Sequence, residues 1–446
     1  MTPEQKETLE KQRSARLARQ RRREAEARQR RQTMLRLVMM VGALLMAVAL
    51  IVWVSTGGPG TTPTTPTATT QPTQVSTAPS TQATTEPSEP ETTAPTEPYT
   101  VIHIAATGDL NVTDNVVTTA MNAAGYDFSD TFLDVAPVLS QADLSIVNFE
   151  GTLAGAPYGT KTGSAPASLA QALADMGVDL VQTANSAAIR SGVLGLQSTI
   201  AGFRNLGIGC VGTFSDPEAY RRSGGFTMAQ VQGIRIAFVA FTKGMDNTGL
   251  PTGSEDCVNV LYEDYTTDYK KIDTKTITKV LDNVAKEEPD VTIALIHWGS
   301  EYNENISESQ EDVRDLLLAN GVDAIIGTHS HLLQQIDYDE EAGTLVAWSL
   351  GDFYGDASEP ATNYSAILDL EITMDNELGT AALTGYSVTP IYTLKPDQSI
   401  LGGTRVVRMD QAIARYESGY LGRVTDSAYD SITYARKRVD QRIAGE

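Results

Sequence analysis

The sequence predicts an α/β sandwich over residues 99–446, and two observations carry that reading. Short runs rich in β-branched residues alternate with longer stretches of helical period. At the carboxyl ends of most of these runs stands an Asp, Glu, Asn or His. Alternation of this kind builds sheets covered by helices. In such sheets, ligands settle in the crevice beyond the carboxyl ends of the strands.

The strands expected in order are 101–107 (VIHIAAT), 144–149 (LSIVNF), 179–184, 234–241 (IRIAFVAF), 291–296 (VTIALI), 323–327 (DAIIG) and 344–350 (TLVAWSL). Helices are expected near 131–141, 167–176, 193–205, 276–286 and 308–320, the last carrying Val313, Leu316 and Leu317 on one face. A final amphipathic helix at 424–443 would pack on the domain or dock a partner.

The polar residues fall at one rim of this arrangement. Asp109 follows the first run in TGD, Glu150 closes the second in NFEG, and Asn185 follows the third in TANS. His297 opens HWG after VTIALI, His329 and His331 come in GTHSH, and Asp352 comes in SLGDF. Three of the four histidines in the chain occupy these strand-end positions. Carboxylate, amide and imidazole donors suit Mn²⁺, Fe²⁺ or Zn²⁺, and a pair of such ions can activate water against phosphorus or a carbonyl. Each residue also has a plain structural reading. Asp109 could cap a helix or a turn, Glu150 could be solvated, and His297 could pack on Trp298. His329 and His331 could simply belong to a loop; extended backbone there would point both imidazoles to one side. The fourth histidine, His103, lies inside the first strand and is expected to be structural or on the surface.

The remainder of the chain differs sharply in composition. Overall, 34 Lys and Arg stand against 56 Asp and Glu, a net charge of −22. Residues 1–36 hold 12 basic and 5 acidic side chains, so the basic charge is local. Residues 37–54 contain no charged side chain and end near Trp53. As a helix they would reach roughly 27 Å, enough for one membrane crossing. The basic flank places residues 1–36 in the cytoplasm and the rest outside, in preference to a cleaved signal peptide. Residues 55–98 hold 16 Thr, 4 Ser and 9 Pro, with no Lys or Arg, and read as a disordered linker of at most about 140 Å. From residue 99 onward, 22 basic side chains face 47 acidic ones, which argues against nucleic acid as a partner. Cys210 and Cys257 exclude a disulfide-dense scaffold, although a single bridge between them is compatible with an extracellular domain.

TGD, NFEG, the AN segment, IHWGSEY with Gln310 beyond it, GVDAIIGTHSH and WSLGDF resemble, in order and spacing, the capsule synthesis proteins of the CapA/PgsA type. GIGCVGTFSDPEAYR and GIRIAFVAFT also resemble that family's connection between the two site halves, so the likeness spans roughly residues 100–395. The resemblance implies a four-layer α/β/β/α metallophosphatase-like sandwich preceded by one transmembrane helix. It implies a role in poly-γ-glutamate capsule synthesis or export, beside a membrane-bound polymer synthase or exporter and with an anionic polymer. Asp109, Glu150, Asn185, His297, His329 and His331 would hold one or two divalent ions (Mn, Fe, Zn or Mg), with Asn185, His297 and His331 in catalytic roles. Two departures stand out. Where the family usually reads Asn-Asn-His and then Asp, this chain has Asn185, Ser186, Ala187 and Arg190. Asp352 stands in place of a usual Asn, as an extra ligand or, preferably, an inert turn residue. The lost imidazole keeps two functions open: a metal-dependent hydrolase or phosphoesterase, and a non-catalytic polymer-binding subunit of an envelope polymer synthase.

Overall fold

The computed structural model describes residues 97–400, 402–419 and 424–446. The basic segment 1–36, the apolar segment 37–54 and the linker as far as residue 96 lie outside the described residues. Among the described residues no helix is long and apolar enough to cross a membrane.

The strands in chain order are β1 (Tyr99–Asn111), β2 (Met121–Asn122), β3 (Gly125–Tyr126), β4 (Leu144–Glu150), β5 (Leu180–Gln182), β6 (Gly209–Val211), β7 (Thr227–Val231) and β8 (Ile234–Thr242). They continue with β9 (Val291–His297), β10 (Ala324–Thr328), β11 (Ile336–Asp339), β12 (Thr344–Ala347), β13 (Asp352–Tyr354), β14 (Tyr364–Asp375), β15 (Thr380–Leu394) and β16 (Arg405–Arg408). Apart from the small β2–β3 hairpin they form two sheets. One runs β16-β15-β14-β1-β4-β5-β6, with β13 also beside β1; the other runs β11-β12-β10-β9-β8-β7. The central strands of both are parallel: β1, β4, β5 and β6 in the first, and β8, β9, β10 and β12 in the second.

Parallel strands covered on both faces must be apolar along their whole length, and these are. Every residue of β4 and of β9 is buried. On the inner faces Ile102, Ile104 and Ile146 pack against Phe238, Ile293, Leu295 and Ile326. Burying each such side chain stabilises the fold by about 1.5–3 kcal/mol. Alternate residues point outward. Val147 and Val181 meet Leu169, Leu173 and Phe203, while Val239, Ile296 and Ile325 meet Ile277, Val280, Val313 and Leu317. Helices therefore cover the outer face of each sheet. The expected C-terminal helix forms as Asp426–Ile443 and packs, with Met409–Glu417, on Tyr364, Tyr392 and Leu394.

Local chemistry sets the helix ends. Ser307 and Gln310 make a capping box at the start of Glu308–Ala319, and Asp273 caps Thr274–Lys286. Gln310 is thus a structural residue. The helix expected over 131–141 shrinks to Ala136–Ser140. Cys210 and Cys257 are both free, so the disulfide left open by the sequence does not form.

Two glycines allow β1 and the chain before β13 to touch. A Cβ on Gly108 would sit 1.7 Å from the Gly351 carbonyl oxygen, and the Asp109 N–H donates to that same oxygen at 2.9 Å. The contact holds Asp109 opposite Asp352. Gly108→Ala should destabilise the chain by about 3 kcal/mol, the upper range for overpacking a rigid site. A shift of the urea midpoint checks this; an unchanged midpoint would mean that the two segments part freely.

Candidate metal centre

Each side chain of the site is delivered by the carboxyl end of a parallel strand or the turn after it. Asp109 lies near the end of β1, Glu150 is the last residue of β4 and His297 the last of β9. Asn185 lies in the turn after β5, and His329 and His331 follow β10. Both sheets contribute, so the pocket closes across the sandwich.

The expected carboxylates and imidazoles converge. Ligand atoms of Glu150, His297 and His329 lie within 4.8 Å of one another, as do those of Asp109, Glu150 and His331. Glu150 is common to both groups. His297 Nδ1 stands 3.9 Å from Asp109 Oδ1, and its Nε2 stands 3.7 Å from Glu150 Oε1. His331 Nδ1 is 3.6 Å from Asp109 Oδ2. All five residues are buried.

Asn185 makes hydrogen bonds of its own beside this group. Its Nδ2 donates to Asn148 Oδ1 at 2.9 Å and to the Phe149 carbonyl at 2.8 Å. Asn148 Nδ2 in turn donates to Asp109 Oδ1 at 2.5 Å. One Asn185 amide hydrogen therefore holds Asn148, which orients Asp109, and the Phe149 carbonyl engages the other. Asn148 escaped the sequence analysis. The signal was present, since residues 148 and 150 stand two apart on one strand and point to the same face.

The structure also decides among the readings left open for Asp352, the GTHSH loop and Trp298. Asp352 is no inert turn residue: it begins β13, and His331 Nδ1 lies 2.8 Å from its Oδ1. Asn111 Nδ2 also stands 3.1 Å from that imidazole nitrogen. The GTHSH loop is not extended either, because His329 and His331 have φ of 92° and 60°. Left-handed backbone at residues other than glycine costs about 1–3 kcal/mol each and is retained where surroundings enforce it. The Asp109 carboxylate supplies such a restraint by accepting the His329 N–H at 3.0 Å. Trp298 packs not on His297 but on Trp348, with ring centroids 5.3 Å apart. His103 is exposed on β1, its Nδ1 2.9 Å from Asp369 Oδ2, as a surface residue should be.

Burial dominates the electrostatics. Desolvation raises the Asp109 carboxyl to about 6 and that of Glu150 to about 7. It pushes His297 and His329 well below the ordinary imidazole range, with neighbouring cationic groups adding to the effect. His331 goes the other way. Its desolvation is outweighed by Asp352, Asp109 and Glu150, which hold it protonated well above that range.

Glu150 Oε2, His297 Nε2 and His329 Nδ1 are buried and make no hydrogen bond among the described residues. An unsatisfied buried polar atom normally costs about 1–3 kcal/mol. Three of them, from a carboxylate and two neutral imidazoles in one of the converging groups, fit a divalent cation.

The model of the family described as bacterial capsule synthesis protein PGA_cap matches residues 103–357. The chain is 26% identical over 226 residues to the PGA biosynthesis protein CapA of Bacillus subtilis (strain 168), covering 49% of this chain and 52% of that protein. It is 27% identical over 299 residues to the capsule biosynthesis protein CapA of Bacillus anthracis, covering 65% of this chain and 68% of that one. The matches thus span about half of the first relative's length and about two thirds of the second's. Among solved structures, the calcineurin-like phosphoesterase YfkN from Bacillus subtilis aligns over 77% of this chain and 98% of its own at 15% identity, with a TM-score of 0.40. Since the matched segment is more than half of the sequence and contains every residue of the pocket, the chain belongs to the bacterial capsule synthesis protein family PGA_cap.

Proposed function

We propose that the chain is a membrane-anchored extracellular protein of poly-γ-glutamate capsule synthesis or export, with a metal-dependent hydrolytic centre. The observation that carries the hydrolytic reading is the convergence of Asp109, Glu150, His297, His329 and His331 in two groups that share Glu150. A divalent ion bound there would polarise a substrate oxygen and lower the pKa of water. The chain itself supplies the rest. Asn148 and the His329 N–H fix Asp109, Thr328 Oγ1 lies 3.1 Å from His297 Nδ1, and Ser186 donates a short hydrogen bond to Glu150. These contacts leave His297 Nε2 and Glu150 Oε2 buried without a hydrogen-bond partner among the described residues. Asp352 steadies His331 through its Nδ1, and the imidazole must lose its second proton before it can serve as a ligand.

A second reading rests on Ala187. It is fully buried where a general acid is missing, and Asn185 cannot replace it because both amide hydrogens are engaged. On this reading the protein binds or guides an anionic polymer beside a membrane-bound synthase or exporter, without chemistry. The apolar segment 37–54 supports a single-pass anchor with a cytoplasmic N-terminus in either case. The acidity of the globular part supports the absence of nucleic acid among its partners.

Three outcomes are expected. First, Mn²⁺ or Zn²⁺ binding, followed by calorimetry, should strengthen with pH from about 5 and keep strengthening above about 7.5, because His331, held protonated well above the ordinary imidazole range, must also lose a proton before it can ligate. Protons compete for Asp109 and Glu150, whose carboxyls sit at about 6 and about 7, and must leave before the ion binds. The slope should reach about tenfold per pH unit per proton released, and Glu150→Gln should weaken binding by about 100-fold; a flat profile would remove the metal centre. Second, Ala187→His should raise hydrolysis of a generic phosphodiester or a γ-glutamyl oligomer by about 100-fold, the usual scale of general acid catalysis. Equal and negligible rates in both proteins would favour the binding role. Third, protease added to intact cells should release the Thr/Pro-rich segment and the domain, whereas protection of both would reverse the orientation.

A further inference from the structure

Two basic side chains stand at the rim of the pocket without being part of it. Arg190 lies in the turn after β5 and Lys243 directly follows β8, so each sheet contributes one. The Lys243 N–H donates to the His297 carbonyl at 2.8 Å, which fixes its backbone beside β9. Its Nζ donates to the Gly299 carbonyl at 2.7 Å and rests 4.7 Å from the centre of the Tyr269 ring. Among the described residues, no carboxylate lies within ion-pair distance of this half-buried ammonium, whose pKa burial lowers. Arg190 packs its stem along Gly163, where a Cβ would come within 3.1 Å of Arg190 Cδ. Its Nη2 is 2.6 Å from Asp246 Oδ2, a carboxylate that is half exposed. Gly163, on which Arg190 packs, accepts the Thr152 N–H at 2.6 Å, two residues beyond Glu150, so Arg190 stands on the Glu150 side of the pocket while Lys243 is bonded to His297 on the other. This placement agrees with Arg190 lowering the carboxyl of Glu150 and both cations lowering the imidazole of His297.

Holding cations beside buried histidines disfavours the imidazolium form. An exposed ion pair such as Arg190–Asp246 is worth about 0–1 kcal/mol. In a domain where 47 acidic side chains outnumber 22 basic ones, positive charge on both sides of one pocket needs a ligand to explain it. A guanidinium fork and an ammonium with spare donors suit an oxyanion, bidentate to the first and as a point contact to the second.

We infer that Arg190 and Lys243 form an oxyanion-recognition subsite that bridges the two sheets at the mouth of the carboxylate–histidine pocket. The subsite takes a phosphoryl or carboxylate group of the molecule on which the centre acts. This inference deepens the proposed function and rests on it. Asp246 holds Arg190 in place until the ligand arrives and competes with it for the guanidinium.

The test uses the full chain in detergent micelles, with and without Mn²⁺, titrated with inorganic phosphate in one arm and γ-linked triglutamate in the other. At least one probe should bind, and the binding should weaken about tenfold in Arg190→Gln and in Lys243→Gln. It should fall by less in Arg190→Lys, which keeps the charge but loses the bidentate fork, and be unchanged or tighter in Asp246→Asn. Binding in the phosphate arm identifies a phosphoester as the source; binding in the triglutamate arm identifies the polymer. Thermal melting shows whether each variant is folded. If Asp246→Asn loses as much affinity as Arg190→Gln, the pair is only a structural bridge and the inference is overturned. It is equally overturned if neither probe binds, or if both bind independently of the two cations. Because anion affinity is read separately from metal affinity and turnover, retained Mn²⁺ binding with no anion binding sinks the subsite alone. The reverse result sinks the metal centre.

Discussion

The face-to-face packing of two largely parallel sheets, with their carboxyl ends at a common edge, is the constraint from which the site follows. Ile104 and Ile146 on one side and Ile293, Leu295 and Ile326 on the other fix the distance between the sheets. That distance places His297, at the end of β9, beside Asp109 and Glu150 at the ends of β1 and β4. No local segment could assemble this set, because the residues are far apart in the chain and come from both layers. The polar cluster therefore depends on apolar packing some residues away. A cavity cut into the core would be felt at the rim even with every polar residue intact.

Within the cluster, electrostatics and backbone geometry support each other. Asp109 is buried yet accepts two donors, Asn148 Nδ2 and the His329 N–H. The second of these restrains a histidine with positive φ, so one carboxylate both pays into the pocket's charge and shapes its loop. Glu150 has one oxygen held by Ser186 and the other unsatisfied. His331 is held on the far side by Asp352. A carboxylate hydrogen-bonded to a histidine fixes which ring nitrogen carries the proton. The site has a charged, proton-holding flank at His331 and a neutral flank at His297 and His329.

Much of this could be read from the residues in order. Strands such as IRIAFVAF and VTIALI announce themselves because burial on both faces forces uninterrupted apolar sequence. The strand-end positions of Asp109, Glu150, His297, His329 and His331 then indicate a shared rim. Less was legible where the chemistry is mixed. β14 and β15 form the longest antiparallel pair, but Asp369 and Glu371 interrupt the apolar pattern of β14, which hid it from a search for continuous runs. Asn148 was hidden inside an apolar strand, and the role of Asp352 depended on a partner 21 residues away that only the folded chain brings near. The free state of Cys210 and Cys257 could not have been deduced from their spacing. Resemblance supplied the biological process; the residues supplied the pocket.

β14 runs antiparallel to β1 from Tyr99 to Ala106, so the segment beyond residue 357, which the family model does not reach, is woven into the same sheet as Asp109. A gene fragment ending at that limit would leave a long strand edge unzipped and the apolar faces of Leu368, Leu370 and Ile372 missing from the core. Expression boundaries drawn from sequence homology alone would thus yield an aggregating polypeptide, and the minimal foldable unit must carry the C-terminal hairpin and the two helices laid over it.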